Sequence, residues 1–402
     1  MISLSDKKDC CGCHACSNIC PKSCISMMAD EEGFLYPVVD EQACIDCGLC
    51  DRACPVLNQN AERRPVEVYA AKCNDEKVRQ ESSSGGLFTV VAEWVIAKGG
   101  VVFGAKFDQV WNVIHAWTDN LEGLAAFRGS KYVQSCIGNT YKEVEQFLKQ
   151  ERVVLFTGTP CQVAGLKKYL RKEYCNLLTI DVVCHGVPSP LVWQTYLKEL
   201  VCAKRIDGIN SVSSSLNDLS VIADIAFRDK TICWNKFGFK VGYVTHGATE
   251  NKVSKSAIEY DAEPFYENLY MKGFLRNLYL RPSCYACAAK SGKSGSNLTI
   301  ADFWGIEKIH PEWDDNRGVS ALLVYDKVAM PSDRIDLTRV EYSDVLSSNT
   351  MIEQSVTEPR ERMEFWSAFP TRGVSAVVDI CRRMEPSLFA RIVSFVKRRL
   401  KL

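Results

Sequence analysis

Cysteine is the residue whose spacing carries the most chemistry in this 402-residue sequence. Cys10, Cys13, Cys16 and Cys20-Pro21 follow C-x2-C-x2-C-x3-C-P, and Cys44, Cys47, Cys50 and Cys54-Pro55 repeat it. This is the bacterial signature for a pair of 4Fe–4S clusters. The first three thiolates of each run curl around one cubane. The fourth, ahead of proline, reaches the other cubane in the two-cluster fold. Cys10, Cys13, Cys16 and Cys54 are therefore assigned to one cluster, and Cys44, Cys47, Cys50 and Cys20 to the other. Gly12 and Gly48 sit where the backbone must come close to the cluster. The competing chemistry is a pair of zinc ribbons, but zinc sites favour two C-x-x-C pairs over a triplet followed by Cys-Pro. Cys11 and Cys24 fall outside the repeat and read as packed thiols.

Ten of the twenty cysteines precede residue 55, which points to metal ligation in one module. Disulfide stapling is the other use of so many cysteines, in secreted chains. The segment Met1 to Lys8 has no apolar core of a secretory signal, and no run approaches 18 apolar residues. A soluble, cytoplasmic protein with reduced thiols is expected. Lys+Arg and Asp+Glu both total 49, so overall charge gives no support for nucleic-acid binding.

Further along, single cysteines stand at places that a parallel sheet would bring together. Val153 to Phe156 is a short apolar strand, followed by the loop Thr157-Gly158-Thr159-Pro160-Cys161-Gln162 and a helix to about Lys172. Leu177 to Val183 is the next strand, followed by Cys184-His185-Gly186-Val187-Pro188-Ser189 and a helix to about Cys202. Strand–loop–helix twice over is a βαβ pattern. Loops at the carboxyl ends of parallel strands share one edge. Cys161 and Cys184 are thus expected at one site, and Cys284-Tyr285-Ala286-Cys287 adds a C-x-x-C pair. These four thiols suffice for a third 4Fe–4S cluster; buried core thiols, or zinc binding or a redox dithiol at 284/287, are the plainer alternatives. Cys73, Cys136, Cys175, Cys202, Cys233 and Cys381 show no spacing and read as packing residues.

The elements that must position these residues follow from periodicity and punctuation. Gly33 to Val39 reads as a hairpin strand, Ala61 to Pro65 as a polar linker, Val66 to Lys72 as a strand. Ser82-Ser83-Ser84-Gly85-Gly86 opens an apolar helix, Leu87 to Ala97, closed by Gly99-Gly100. Val101 to Phe107 and Val110 to Thr118 read as strands, Asn139 to Gln150 as a helix. Later strands are expected near Ile222–Arg228, Phe239–His246, Leu298–Ala301 and Ser320–Tyr325. The expected fold is an α+β ferredoxin-like two-cluster module, then a mixed α/β flavin-binding domain, then a helical tail. The boundaries are 1–60, 66–150, 151–330 and 331–402. Residues 359–367 and 374–384 look helical. Residues 387–402 form an amphipathic basic stretch, read first as a packed terminal helix and second as a membrane-surface helix or partner dock.

Several unusual blocks, in order, resemble the beta-subunit family of coenzyme F(420) hydrogenases and dehydrogenases. They are Ser83-Ser84-Gly85-Gly86, Arg128-Gly129-Ser130-Lys131-Tyr132-Val133-Gln134-Ser135, Gly158 to Gln162, Asp181 to Ser189 and Asp302-Phe303-Trp304-Gly305. The resemblance covers about residues 1–350. It implies an oxidoreductase holding FAD as well as clusters, fed by ferredoxin or another low-potential donor and reducing a small organic acceptor that the sequence does not name. Reaction type transfers better than substrate. Alternatives are an electron-transfer subunit without its own substrate and a structural iron–sulfur protein. On this reading Ser83, Ser84, Gly85 and Gly86 offer hydroxyls and N–H groups to the FAD pyrophosphate at a helix N-terminus. Their plain role is an N-cap with tight glycine packing. Lys131 holds a phosphate or flavin carbonyl, or is a surface charge. Gly158, Thr159 and Gln162 serve cluster and flavin. His185 is the candidate proton donor or a hydrogen-bond donor to a cluster sulfur, against a structural histidine satisfied by its loop. Phe303 and Trp304 wall the flavin or belong to the core, and Asp302 beside them caps a turn if it has no other role.

Overall fold

A computed structural model describes residues 1–206, 218–231, 233–245 and 257–384. The amphipathic stretch 387–402 and His246, the end of the second expected late strand, lie outside the described residues. Thirteen strands are described: β1 (Ile25–Ala29), β2 (Leu35–Val39), β3 (Glu67–Cys73), β4 (Val101–Phe107), β5 (Val113–Thr118), β6 (Val154–Gly158), β7 (Leu177–Val182), β8 (Ile222–Asp229), β9 (Gly238–Thr245), β10 (Ala257–Pro264), β11 (Leu298–Asp302), β12 (Ser320–Val324) and β13 (Ile335–Arg339).

Eight of them form one mixed sheet in the order β13-β3-β12-β11-β7-β6-β4-β5. Its centre, β11, β7, β6 and β4, is parallel, and the strands on both sides run antiparallel. The central strands read as apolar runs because both faces are covered: Val154, Leu155 and Phe156 are all buried. The helix Leu87–Ala97 covers one face through Val90, Val91 and Val95. The helices Thr140–Lys149 and Pro160–Leu170 cover the other through Tyr141, Val144, Val163 and Leu166.

The segments 66–150 and 151–330 interleave within this one sheet. Strand β3 lies between β12 and β13, so boundaries at 150 and 330 cut through paired strands. The region from 331 is also not helical throughout, since it supplies β13 before the helices Arg362–Arg372 and Ala376–Met384. A second, antiparallel sheet, β10-β9-β8, packs with the helix Pro190–Ile206 around Trp193, Phe227 and Phe239. β10 and β13 are half-exposed or edge strands without clean alternation, and the sequence reading misses both.

The N-terminal module has the hairpin β1–β2 and two short helices, Ala15–Ile19 and Leu49–Ala53. Each helix is preceded by a residue in the left-handed region, His14 (φ 61) and Gly48 (φ 67), as expected of a duplicated loop. The module is fastened to the body. Arg362 pairs with Glu32 in a nearly buried bridge. Asn18 Nδ2 donates to the Gly138 carbonyl at 2.8 Å. A Cβ on Gly165 would stand 2.9 Å from Cys13 Cβ, so only glycine lets the helix Pro160–Leu170 touch the first cysteine loop. The expected linker is also anchored: Arg63 bonds Asp326 at 2.8 Å and stacks on Tyr325.

Candidate electron-transfer centre

Cys20, Cys44, Cys47 and Cys50 line one small pocket, together with Cys24. Cys24 Sγ lies 3.4 Å from Cys20 Sγ, so it is a fifth thiol of this pocket and not a packing residue elsewhere. Backbone N–H groups already point at sulfur here: Ile2 to Cys50 at 3.3 Å and Asp46 to Cys44 at 3.4 Å. Cys16 is in the electrostatic reach of Cys10 and Cys54, as is Cys13 of Cys10 and Cys16. Cys20, Cys44, Cys47 and Cys50 thus share one pocket, and Cys16 lies close to Cys10 and Cys54 of its own assigned set and to Cys50 of the other. Cys47 is exposed; the first repeat is turned inward.

The loops after β6 and β7 bring Cys161 and Cys184 to the same sheet edge. The short turn Pro282–Ala286 carries Cys284 and leads to Cys287. All four line one pocket, and Cys11 lines it too. Cys11 is the thiol that sequence reasoning missed. It occupies the first repeat's counterpart of Ile45. Within the module its neighbour is Cys13, and docking on the body adds Cys161. Val187 N–H donates to Cys284 Sγ at 3.4 Å, and Thr159 Oγ1 lies 3.2 Å from Cys161 Sγ. Burial pushes the free thiols of Cys16 and Cys184 up to about 12. Thiolates form at such places only when a bound cation repays the desolvation, and that chemistry suits iron. Among the other cysteines, Cys73 and Cys381 are buried as expected of packing residues, while Cys175 is exposed.

A cavity of about 730 Å³ opens at the carboxyl ends of β6, β7 and β11. Its size is within the range of ligand pockets. Ser83, Ser84, Gly86, Lys131, Gly158, Thr159, Gln162 and His185 all line it. Gly85 does not. Its N–H is given to Ser320 Oγ at 3.0 Å, and a Cβ would meet the Ala71 carbonyl at 2.6 Å. Gly85 is thus there for close packing of the helix entry against β3 and β12, not for a ligand. The serines are partly engaged as well: Ser83 Oγ accepts from the Ser130 N–H at 2.8 Å, and Ser84 Oγ donates to the Val319 carbonyl at 3.1 Å. Phe303 is fully buried in the core, whereas Trp304 faces the cavity and stacks on Trp234 at 4.8 Å. Asp302 pairs with Arg228 instead of capping a turn.

The first turn of the helix Leu87–Ala97, Leu87 to Thr89, forms part of the wall, entered through Gly86 in the left-handed region (φ 89). Thr89 Oγ1, Arg128 Nε and Arg228 Nε and Nη2 are buried without a hydrogen-bond partner, and all three residues line the cavity. Orphaned donors beside a helix N-terminus suit a polar, anionic ligand. Lys131 gives its ammonium to the carbonyls of Arg128 and Gly129 at 2.9 and 3.1 Å. Burial lowers its pKa to about 7. These residues fit the phosphates of a dinucleotide such as FAD.

On the opposite side runs a chain of hydrogen bonds. His115 Nε2 lies 3.0 Å from the Thr157 carbonyl, and its Nδ1 lies 2.9 Å from Ser135 Oγ. Ser135 Oγ accepts from Gln162 Nε2 at 2.8 Å, and Gln162 Oε1 accepts from the Thr159 N–H at 2.9 Å. With Nε2–H donating to the carbonyl, Nδ1 is left to accept from the Ser135 hydroxyl. Desolvation lowers the His115 pKa to about 4, so the ring is neutral. His115 and its wiring are not legible in sequence. The alternation of β5 puts His115 on the buried side, and that is the one available signal.

His185 borders both the cysteine pocket and the large cavity. Its Nε2 lies 2.6 Å from Asn277 Oδ1, its ring stands edge-on to Phe274, and desolvation lowers its pKa. Among the described residues no helix is long and apolar enough to cross a membrane.

Residues 9–58 match the family described as 4Fe-4S dicluster domain. Residues 151–329 match the family described as the C terminus of the coenzyme F(420) hydrogenase/dehydrogenase beta subunit. A coenzyme F(420)-dependent sulfite reductase from Methanocaldococcus jannaschii is 27% identical over 218 residues, which are 52% of this chain and 33% of that protein. The chain thus spans about a third of the length of that curated relative. Among solved structures, a chain of the F(420)-reducing NiFe hydrogenase complex from Methanosarcina barkeri aligns at 13% identity and a TM-score of 0.43. The match covers 72% of this chain and 91% of that one. Residues 151–329 are thus similar to the C-terminal part of the coenzyme F(420) hydrogenase/dehydrogenase beta subunits, and they follow a segment similar to 4Fe–4S dicluster domains.

Proposed function

We propose that this protein is an iron–sulfur flavoprotein oxidoreductase in which electrons from a ferredoxin-type donor pass through the two N-terminal clusters to a third and on to FAD and an organic acceptor. One observation carries the reading: Cys184 to Val187 are shared between the wall of the four-cysteine pocket and the wall of the large cavity. A cluster and a ligand separated by one loop are within short electron-transfer reach.

Cys161, Cys184, Cys284 and Cys287 would hold the third cluster. The first turn after Gly86, with Thr89, Arg128 and Lys131, would hold the FAD phosphates. A bound flavin supplies the exchange between one-electron carriers and two-electron hydride chemistry. The protein's own part is positional. Gln162 and Thr159 fix the loop between cluster and cavity through a capping box. His115 keeps Ser135 and Gln162 oriented. His185 gives Nε2–H to Asn277 Oδ1, which would leave Nδ1 as the atom to hold or move a proton at the cavity's edge. Trp304 and Phe274 give the cavity wall aromatic faces. Coenzyme F(420), named for the sulfite reductase relative, is one candidate partner for the two-electron end.

Anaerobic purification, followed by measurement of flavin and iron per chain, tests this. One FAD and about twelve irons are expected for three cubanes. Cys284→Ser should remove about four irons and leave the N-terminal pair; unchanged iron and sulfide would remove the third cluster. Absence of flavin after reconstitution would leave an electron carrier without its own substrate.

A further inference from the structure

Four arginines among the described residues are buried: Arg79, Arg228, Arg281 and Arg362. Three are neutralised by carboxylates, Asp315, Asp302 and Glu32. Arg281 is the most buried of the four, at 0% exposure, and pairs with no carboxylate among the described residues. Its partners are the carbonyls of Cys10 at 2.7 Å and Leu35 at 2.9 Å, and Gln134 Oε1 at 3.0 Å. Its Nη2 lies 3.5 Å from Cys10 Sγ, and the guanidinium covers the Tyr36 ring at 4.3 Å. Carbonyl dipoles and a ring face orient a cation but do not neutralise it. A full charge removed from water is strongly disfavoured unless an opposite charge faces it. Cys10 is the first thiolate of the inner cluster. A cubane with four thiolates is anionic in both oxidation states, and more so when reduced.

Among the described residues the outer repeat has no such cation. The Met1 ammonium, on the wall of that pocket, is paired with Asp46 and Asp51, and Arg52 bonds the Cys47 carbonyl at 3.0 Å at an exposed position, where water and salt screen it. Lys22, on the rim of that pocket, is exposed too.

We propose that Arg281 is the countercharge of the inner cluster and holds its reduction potential above that of the outer one. A positive charge at close range stabilises the reduced cluster more than the oxidised one, because the reduced form carries one more negative charge. When the outer cluster gives up one electron and the inner cluster takes it, the transfer runs toward the body. The external donor of low potential supplies the electron. The inference rests on Cys10 being an inner-cluster ligand and not on the flavin.

The test is a redox titration of the full chain followed by electron paramagnetic resonance. A Cys44→Ala/Cys47→Ala variant removes the outer signal, Cys284→Ser removes that of the third pocket, and the inner signal is the one that survives both. In the wild type the inner cluster should be reduced first; an inner cluster reduced after the outer one would overturn the proposal, with no change at position 281 needed. Arg281→Gln should shift the electron's distribution between the two clusters at least tenfold toward the outer one, about 59 mV for a one-electron couple. Arg281→Lys, which keeps the charge and loses the fork, should stay near the wild type. A Gln variant with full iron and unchanged potentials, or a Lys variant shifted as far as Gln, would overturn the role as countercharge. Cys10→Ser separates the two layers of the argument: unchanged iron there would fail the ligand assignment itself.

Discussion

The two cysteine repeats are near copies in sequence and opposites in setting. The first, Cys10 to Cys20, is pressed into the body by Gly165, Asn18 and Arg281, and its spare thiol Cys11 reaches the pocket of Cys161. The second, Cys44 to Cys54, faces solvent with Cys47, Ile45 and Asp46 exposed. On the proposed path the same spacing would serve two ends. Ligand spacing makes a cluster; what packs against the loop would decide whether that cluster receives electrons from outside or hands them inward.

Three changes would break or sharpen this contrast. The largest effect is expected at the seam. Arg362→Met leaves the Glu32 carboxylate buried without its partner and should cost about 3–5 kcal/mol in denaturant unfolding. The double variant with Glu32→Gln should recover part of it. Next is Gly165→Val, whose side chain has no room beside Cys13 and Tyr141 Oη. A loss of about 2–3 kcal/mol is expected, together with a weakened inner-cluster signal and an intact outer one. Equal loss of both signals would mean that the module is not held by this contact. The smallest effect is expected at the outer loop. Gly48→Ala places a side chain at φ 67 with only Arg52 Nη1 near, at 3.2 Å, and should cost about 1–2 kcal/mol without changing iron content.

The large cavity adds a pH-dependent counterpart. The Lys131 pKa is lowered to about 7 by burial, so its charge is present below that pH and lost above it. An anionic ligand binds the protonated form and takes up a proton when it binds above pH 7. FAD affinity in the apoprotein should therefore fall as pH rises from 7, by up to about tenfold per unit. Lys131→Met should flatten the profile, as seen by equilibrium dialysis.

Much of the path is legible because it is written in spacing. The duplicated cysteine runs, the loops after β6 and β7, and the C-x-x-C pair each give a local pattern with one geometric meaning. The mixed sheet follows from apolar runs alternating with helices. What stays hidden depends on contacts between distant residues. Cys11 looks like a spare thiol until the module docks. Arg281 is one arginine among many until 271 residues of separation are closed to bring it to Cys10. His115 becomes a wired residue only through Thr157 and Ser135. Gly85 reads as a ligand contact because the demands of tight packing and of phosphate binding select the same residue.

The position of β3 has a consequence for how this chain is made. Residues 67–73 must wait for residues 320–324 and 335–339 before either edge of that strand is paired. Contacts across such sequence separations form late and slowly. During synthesis the duplicated cysteine loops emerge long before the sheet can close. Both cysteine loops can thus take up their clusters on a short, early-emerging segment, and the chamber at the far end of the proposed path is completed last.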